Sequence, residues 1–358
     1  MPDYSTRSLM LACVVAVAAT LASCGQPSPA KLLDAAKASQ QSGDDKAAII
    51  HLKAALQQNP RLAEARFLLG QSLLNSGDAI AAIVELEKAL ELKHPEDEVH
   101  PALALALVQS GQAKKATDRY SHVRLQGPVA HARLKSTLAA AFGAQGLVER
   151  SQAFVDAALQ LDPSNRVARL LRARLAAGRG EMDAALQQLD TLIAEKADDK
   201  EAWHLKGEVL WMGKSDLAGG TAAFRKTLEI EPRYLPAHRS LIQMALRAQD
   251  LPAFKSQAAK LSELLPKHPE AMLYKAQSAL VDKDYKTTRE IVQQLLRLAP
   301  DSPQVLQLAG TLEFSAGSAV VAETHLVKAL QFEPRLPAAR RLLSQVYLRT
   351  GQAAKALS

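Results

Sequence analysis

The sequence predicts an all-α chain, a right-handed superhelical solenoid of antiparallel helix pairs with about nine full repeats and a truncated tenth. Three observations carry this. Pro232, Pro266, Pro300 and Pro334 are evenly spaced, at a period of about 34 residues that is typical of stacked supersecondary units. A turn recurs near the middle of each interval, as in Ser42-Gly43-Asp44, Ser76-Gly77-Asp78, Ser110-Gly111-Gln112 and Ala316-Gly317-Ser318. Small residues keep the same phase, with Gly70, Ala104, Ala139, Ala173, Gly207, Ala276 and Gly310 before the turn and Ala48, Ala82, Ala116, Ala185 and Ala322 after it.

Composition agrees with many thin amphipathic helices. Hydrophobic residues make up 48% of the 358 positions and aromatics only 4%, which suits helix contacts built on Ala and Leu better than a sheet. Lys and Arg number 44 against 37 Asp and Glu, a formal charge of +7. No block of five like charges occurs, so most charges read as solvated helix faces and no nucleic-acid partner is expected. Both cysteines, Cys13 and Cys24, lie near the N-terminus. The rest of the chain therefore has no disulfide framework and no cysteine-based metal site, and packing alone must stabilise it.

The first residues read as an address. Leu9 to Leu21 is an uncharged apolar run, short for a membrane span but suited to a signal-peptide core. It closes in Leu21-Ala22-Ser23-Cys24-Gly25, which resembles the bacterial lipobox. That resemblance implies removal of residues 1–23, lipidation of Cys24 and a short tether over 24–28. Gly25 in place of Asp implies the outer membrane, with the protein facing the periplasm. The alternative is an ordinary secretory signal with a chance cysteine.

From Pro29 onward the repeat can be followed unit by unit. Pro60 and Pro128 are two periods apart, with His94 in the slot between. Pro128 to Pro163 exceeds one period by a single residue, and Pro163 to Pro232 exceeds two periods by a single residue. Two one-residue insertions therefore restore the phase. The mid-repeat glycine supplies left-handed backbone that ends the first helix (A), and the polar residue after it starts the second (B). Gln249-Asp250 and Lys283-Asp284 replace it in two repeats. The proline closing each repeat halts helix B. The boundaries are 29–62, 63–96, 97–130, 131–165, 166–199, 200–234, 235–268, 269–302 and 303–336, with a partial repeat over 337–358. Trp203-His204-Leu205-Lys206-Gly207 followed by Phe224 and Pro232 resembles the tetratricopeptide-repeat (TPR) pattern, and the resemblance extends over residues 29–358. Such arrays need a capping end, so the unfinished last repeat leads us to expect either a fragment of a longer array, the favoured reading, or an open end that docks on a partner or another copy.

A narrower resemblance rests on Gly43-Asp44-Asp45-Lys46-Ala47-Ala48 and the residues on to Asn59-Pro60, continuing through Ala63-Glu64-Ala65-Arg66-Phe67-Leu68-Leu69-Gly70. With the lipobox, this looks like the TPR-repeat lipoproteins of the PEP-CTERM/exosortase system. The resemblance implies an envelope scaffold whose protein partners belong to a sorting or exopolysaccharide-export assembly.

No catalytic constellation stands beside it, and neither an enzyme nor a cofactor is expected. Gly213-Lys214-Ser215 ends like a P-loop, but Glu208 fills the slot of the upstream glycine. The nine histidines form no His-Glu-x-x-His or His-x₃-His pair, so no metal site is expected. In the TPR template helix A lines the concave groove. That placement turns Lys37, Arg133, Arg174, His204, Arg239, Arg247, Arg341 and Arg349 towards it, with Phe67, Trp211 and Phe314 as neighbours. Arginine forks suit the carboxylates or sulfates of an anionic peptide or polysaccharide, and Trp211 offers a stacking face. The competing reading makes the charges solvated and the aromatics inter-repeat core. Ala30, Leu33 and Lys37, then Glu64, Phe67 and Gln71, do not form the clamp of chaperone-binding TPRs.

Overall fold

The structure is a computed structural model that describes residues 27–356, and among them every regular element is helical. The leader and the expected lipidation site at Cys24 lie outside the described residues. The chain divides into two compact units, one up to Leu175 and one from Ala176.

The first unit holds α1 (Pro29–Gln41), α2 (Asp45–Gln58), α3 (Ala63–Asn75), α4 (Ala79–Glu91), α5 (Glu96–Gln109), α6 (Ala113–Tyr120), α7 (Pro128–Ala144), α8 (Val148–Leu161) and most of α9 (Arg166–Gly178). The second holds α10 (Met182–Glu195), α11 (Lys200–Glu208) with a π-helical turn Val209–Gly213, α12 (Leu217–Ile230), α13 (Leu235–Arg247) and α14 (Leu251–Leu264). It continues with α15 (Pro269–Val281), α16 (Tyr285–Leu298), α17 (Pro303–Ser315), α18 (Ala319–Phe332), α19 (Pro337–Arg349) and the short α20 (Ala353–Ala356). Odd-numbered helices are the A members of the pairs and even-numbered helices the B members.

The pairs form because the turn between them is locally encoded. Gly43, Gly77, Gly111, Gly146, Gly180, Gly317 and Gly351 all have positive φ, as the mid-repeat spacing predicts. Where glycine is missing, Gln249 and Lys283 take the same left-handed conformation at φ 54° and 60°. The next residue caps helix B. The Asp44, Asp78, Asp250 and Asp284 carboxylates each accept a hydrogen bond of 3.0 Å from the backbone N–H three residues on. Such caps contribute about 1 kcal/mol each. Pro60, Pro163, Pro232, Pro266, Pro300 and Pro334 all sit in the turns that follow a B helix.

Packing follows the small residues. Within a pair, a methyl group on Gly70 would lie 2.5 Å from the Leu86 side chain, so only glycine lets α3 and α4 close to this distance. Successive A helices touch, as α1 with α3 and α3 with α5 in the first unit, and α15 with α17 and α17 with α19 in the second. Successive B helices make no comparable contact among the described residues. Each stack is therefore tighter on its A side, and the A layer is the inner face within each unit.

Two places depart from the regular array. Pro128, expected to halt helix B of the third repeat, instead opens α7 at its first turn. Helix B of that repeat ends early, at Tyr120, and residues 121–127 run without helix to the start of α7. The Asp97 carboxylate pins this segment, accepting from the backbone N–H of Gln126 (3.1 Å) and Gly127 (2.7 Å). Ala104 to Ala139 already exceeds one period by a single residue, so the insertion lies at this joint rather than within the fourth repeat. The His100 Nδ1, Tyr120 hydroxyl and His131 Nε2 are buried there without a hydrogen-bond partner.

The second insertion is absorbed by the π-helical turn. In regular repeats the closing turn bond spans five residues, from Asp250 N–H to Ala245 O or Asp284 N–H to Ala279 O. In the sixth repeat it spans six, from Asp216 N–H to Leu210 O. One extra residue is thus housed as a bulge inside the helix. Ser215, at φ 57°, takes the left-handed position, and the Gly213-Lys214-Ser215 triplet is simply the exit from this helix.

Candidate functional site

The inner face is built from A-helix side chains, and the structure sorts the expected groove residues into three groups. His204 and Trp211 are core residues, each only 7% exposed. His204 lies with Nε2 3.2 Å from Ser240 Oγ, and its ring packs 5.3 Å from Phe224 and 5.5 Å from Tyr234, centroid to centroid. Trp211 meets Phe224 edge-on at 6.3 Å. The stacking face expected of Trp211 is already covered, because the Arg247 guanidinium lies 4.9 Å from its ring centroid. A methyl group on Gly220 of α12 would lie 2.9 Å from the Trp211 Cβ, so α12 packs closely against this turn.

Other cations are held by neighbouring repeats. Arg239 forks onto Glu270, Nε to Oε1 and Nη2 to Oε2, both at 2.7 Å, and Tyr274 donates its hydroxyl to the same carboxylate at 3.2 Å. Burial opposes ionisation of Glu270, but the Arg239 fork and the Tyr274 hydroxyl outweigh it and hold the carboxyl below its usual range. Burial and the Glu270 charge push the Tyr274 hydroxyl up to about 12. Lys37 pairs with Glu64 at 2.6 Å, and Arg349 lies over Phe314 at 5.3 Å. These contacts join one repeat to the next and use up binding capacity that sequence spacing assigned to a ligand. Arg133, Arg174 and Arg341 are exposed on α7, α9 and α19. Within the second unit, Arg239 and Arg247 are engaged by different neighbours, Glu270 and Trp211, and do not converge.

A different set does converge. Between α15 and α17 the inner face opens a cleft of about 350 Å³, lined by Gln277, Gln304, Gln307, Thr311 and Ser315 over Leu280, Val281 and Leu308. Gln304 donates to Glu333 at 3.3 Å, and the Thr311 hydroxyl is turned back to the Gln307 carbonyl at 2.8 Å. The side-chain amides of Gln277 and Gln307 remain available. Gln243 and Gln345 occupy the same repeat position as Gln277, one period before it and two after it. A primary amide offers two donors and an acceptor, the complement of a peptide group. Uncharged amides at repeat spacing were the signal in the sequence, and a search weighted towards charge and aromatics passes over them.

Residues 33–98 and 144–209 match family models described as tetratricopeptide repeat. These two stretches are tetratricopeptide repeats, and the helix pairs outside them follow the same order of elements. The matches support placing the chain in the TPR superfamily, whose members generally serve as protein-binding scaffolds. No curated protein matches the sequence. Among solved structures, the chain is similar to a tetratricopeptide repeat protein from Parabacteroides merdae, at 15% identity over 79% of this chain and 98% of that one, TM-score 0.45. It is also similar to the APC/C hetero-tetramer Cut9–Hcn1, at 12% identity over 92% and 85%, TM-score 0.45. Yeast Tom70 aligns at 13% identity over 92% and 83%, TM-score 0.47.

Proposed function

We propose that the chain is a non-enzymatic protein-interaction scaffold whose inner A-helix face receives a polypeptide segment, with the amide-lined cleft between α15 and α17 as a main point of contact. The availability of Gln277 and Gln307 carries this reading. Their amides can pair with a backbone whatever its sequence, and the apolar floor can take small side chains. The lipobox-like residues ending at Cys24 and the likeness to exosortase-associated lipoproteins support a place in the bacterial envelope, on the periplasmic side of the outer membrane. The assembly it serves would be one of protein sorting or exopolysaccharide export.

Binding of an anionic polysaccharide along the same face is the less favoured reading. It needs several unengaged cations close together, whereas Arg239 is tied to Glu270 and Arg247 covers Trp211.

A photo-crosslinking residue placed at Gln277 or Gln307 in the full chain tests the proposal in cells. Protein adducts from these positions, retained after glycan digestion and absent from the B-helix position Lys286, are expected. Adducts that disappear with the glycan, or none from either inner position, would overturn it.

A further inference from the structure

On the opposite side of the second unit lies a larger depression that the inner-face reading leaves unused. Helices α12 and α14 form its walls and α13 its floor, enclosing about 770 Å³. Its apolar lining is Leu228 of α12, Leu241 and Met244 of α13 and Leu264 of α14. His238 lies beneath them, 2% exposed, and is fully engaged: its Nε2 is 2.9 Å from Pro232 O and its Nδ1 2.5 Å from the Gln257 amide. On α12 the lining runs from Leu217 to Glu229, about 18 Å of helix at 1.5 Å per residue.

The walls carry charges that the protein itself does not use. Arg225 on α12 and Lys260 on α14 face the depression from opposite sides, near the same level of their helices, and neither makes an ion pair or hydrogen bond among the described residues. The acids differ in their engagement. Glu229 is held by Lys226 at 2.9 Å, and Asp250 caps its own helix at Ala253 N–H. Only Glu263, at the far end, is uncommitted.

We infer that this trough is a second docking site, for an amphipathic helix of a protein partner carrying acidic residues beside its apolar stripe. Three turns of helix match the length, and an apolar stripe at i, i+3, i+4 and i+7 fits a furrow between two parallel helices. The paired cations select the sign of the flanking charge, because a carboxylate lying between them meets both. The site is physically separate from the inner face, so one chain can hold an extended segment on one side and a helix on the other.

Two synthetic 14-residue helices with the same leucine stripe, one flanked by Glu and one by Lys, test this with the full chain in a fluorescence-anisotropy titration. The Glu-flanked helix is expected to bind, and the Lys-flanked helix to bind at least tenfold more weakly. The exposed pair Arg225→Glu with Lys260→Glu should reverse that preference, and Ala253→Trp, which fills the trough, should weaken both peptides tenfold or more. Gln277→Ala with Gln307→Ala should leave peptide binding unchanged, which separates this site from the inner face. No binding of the Glu-flanked helix at millimolar concentration, or equal binding of both helices, would overturn the inference. So would self-association, or capture on phosphatidylglycerol vesicles, that the charge reversal abolishes.

Discussion

Gly207 lies so close to Phe224 that a methyl group on it would stand 2.5 Å from the ring. Phe224 is fully buried, and His204 and Trp211 pack around it, so the ring has no space into which to retreat. Gly207→Ala should therefore cost about 1–3 kcal/mol through overpacking. A lower urea midpoint would show it, and Phe224→Leu in the same chain should return part of the loss. An unchanged midpoint in the single variant would mean that α11 and α12 are not in this contact.

The left-handed turns make an opposite prediction. Gln249 and Lys283 hold positive φ with a full side chain, a conformation that costs an L-residue about 1–2 kcal/mol. Gln249→Gly and Lys283→Gly should each stabilise the second unit by about 1 kcal/mol, a little less if the unfolded chain gains freedom. Amide hydrogen exchange in α13 to α16 would register the gain.

Removing a cap has a local signature too. Asp284→Ala deletes the hydrogen bond to Thr287 N–H and should cost about 1 kcal/mol. Exchange should quicken first in the opening turn of α16. Asp284→Asn should keep most of the stability, because its amide oxygen can accept the same bond.

Acid should loosen the protein in a defined window. Burial is the main cause that pulls His100, His131, His238 and His325 below the ordinary imidazole value of 6.5. At His131 the neighbouring Lys135 and Arg124 add to it, and at His238 Lys260 does, while the Pro232 carbonyl acts against it. The unfolded chain then takes up protons before the folded one. The stabilisation is whole above about pH 6.5 and is lost as pH falls through the lower folded values. Urea midpoints measured from pH 7.5 to 5 should drop, and the drop should shrink in His100→Gln with His131→Gln. A midpoint flat across this range would contradict the burial of the four rings.

Arg239 provides a control against overreading surface charge. Its fork to Glu270 is well formed, but the Arg239 side chain is 45% exposed, where an ion pair contributes little. Arg239→Ala should lower stability by less than about 1 kcal/mol and leave the inner-face contacts at Gln277 intact in a crosslinking assay.

The array was legible in the sequence because its punctuation is local. A proline at the corner, a left-handed residue at mid-repeat and an aspartate after it each act within a few residues, so spacing alone locates them. The same logic carried over to Gln249 and Lys283, where glycine is missing. It failed at Pro128, since a proline that stops one helix and a proline that starts the next obey the same steric rule. Which of the two occurs depends on Asp97, almost a whole repeat earlier in the chain. The groove was less legible for a related reason. Helical phase turns His204, Trp211 and Arg239 towards the inner side, but whether a side chain is free there depends on Phe224, Arg247 and Glu270, which belong to other helices.

The bulge at Val209–Gly213 has a bearing on how such a chain can change over generations. A single-codon insertion in the middle of a rigid helix would ordinarily swing every later side chain by about 100° around the axis, given 3.6 residues per turn. Here the slack is taken up within one turn, and Asp216 resumes its capping position as though nothing had been added. Deleting Met212, which is exposed, should let the turn revert to ordinary helix while repeats seven to ten keep their alignment. Length variation of this kind leaves the contact faces downstream intact, so a lineage can tolerate such genetic slips without surrendering its partners.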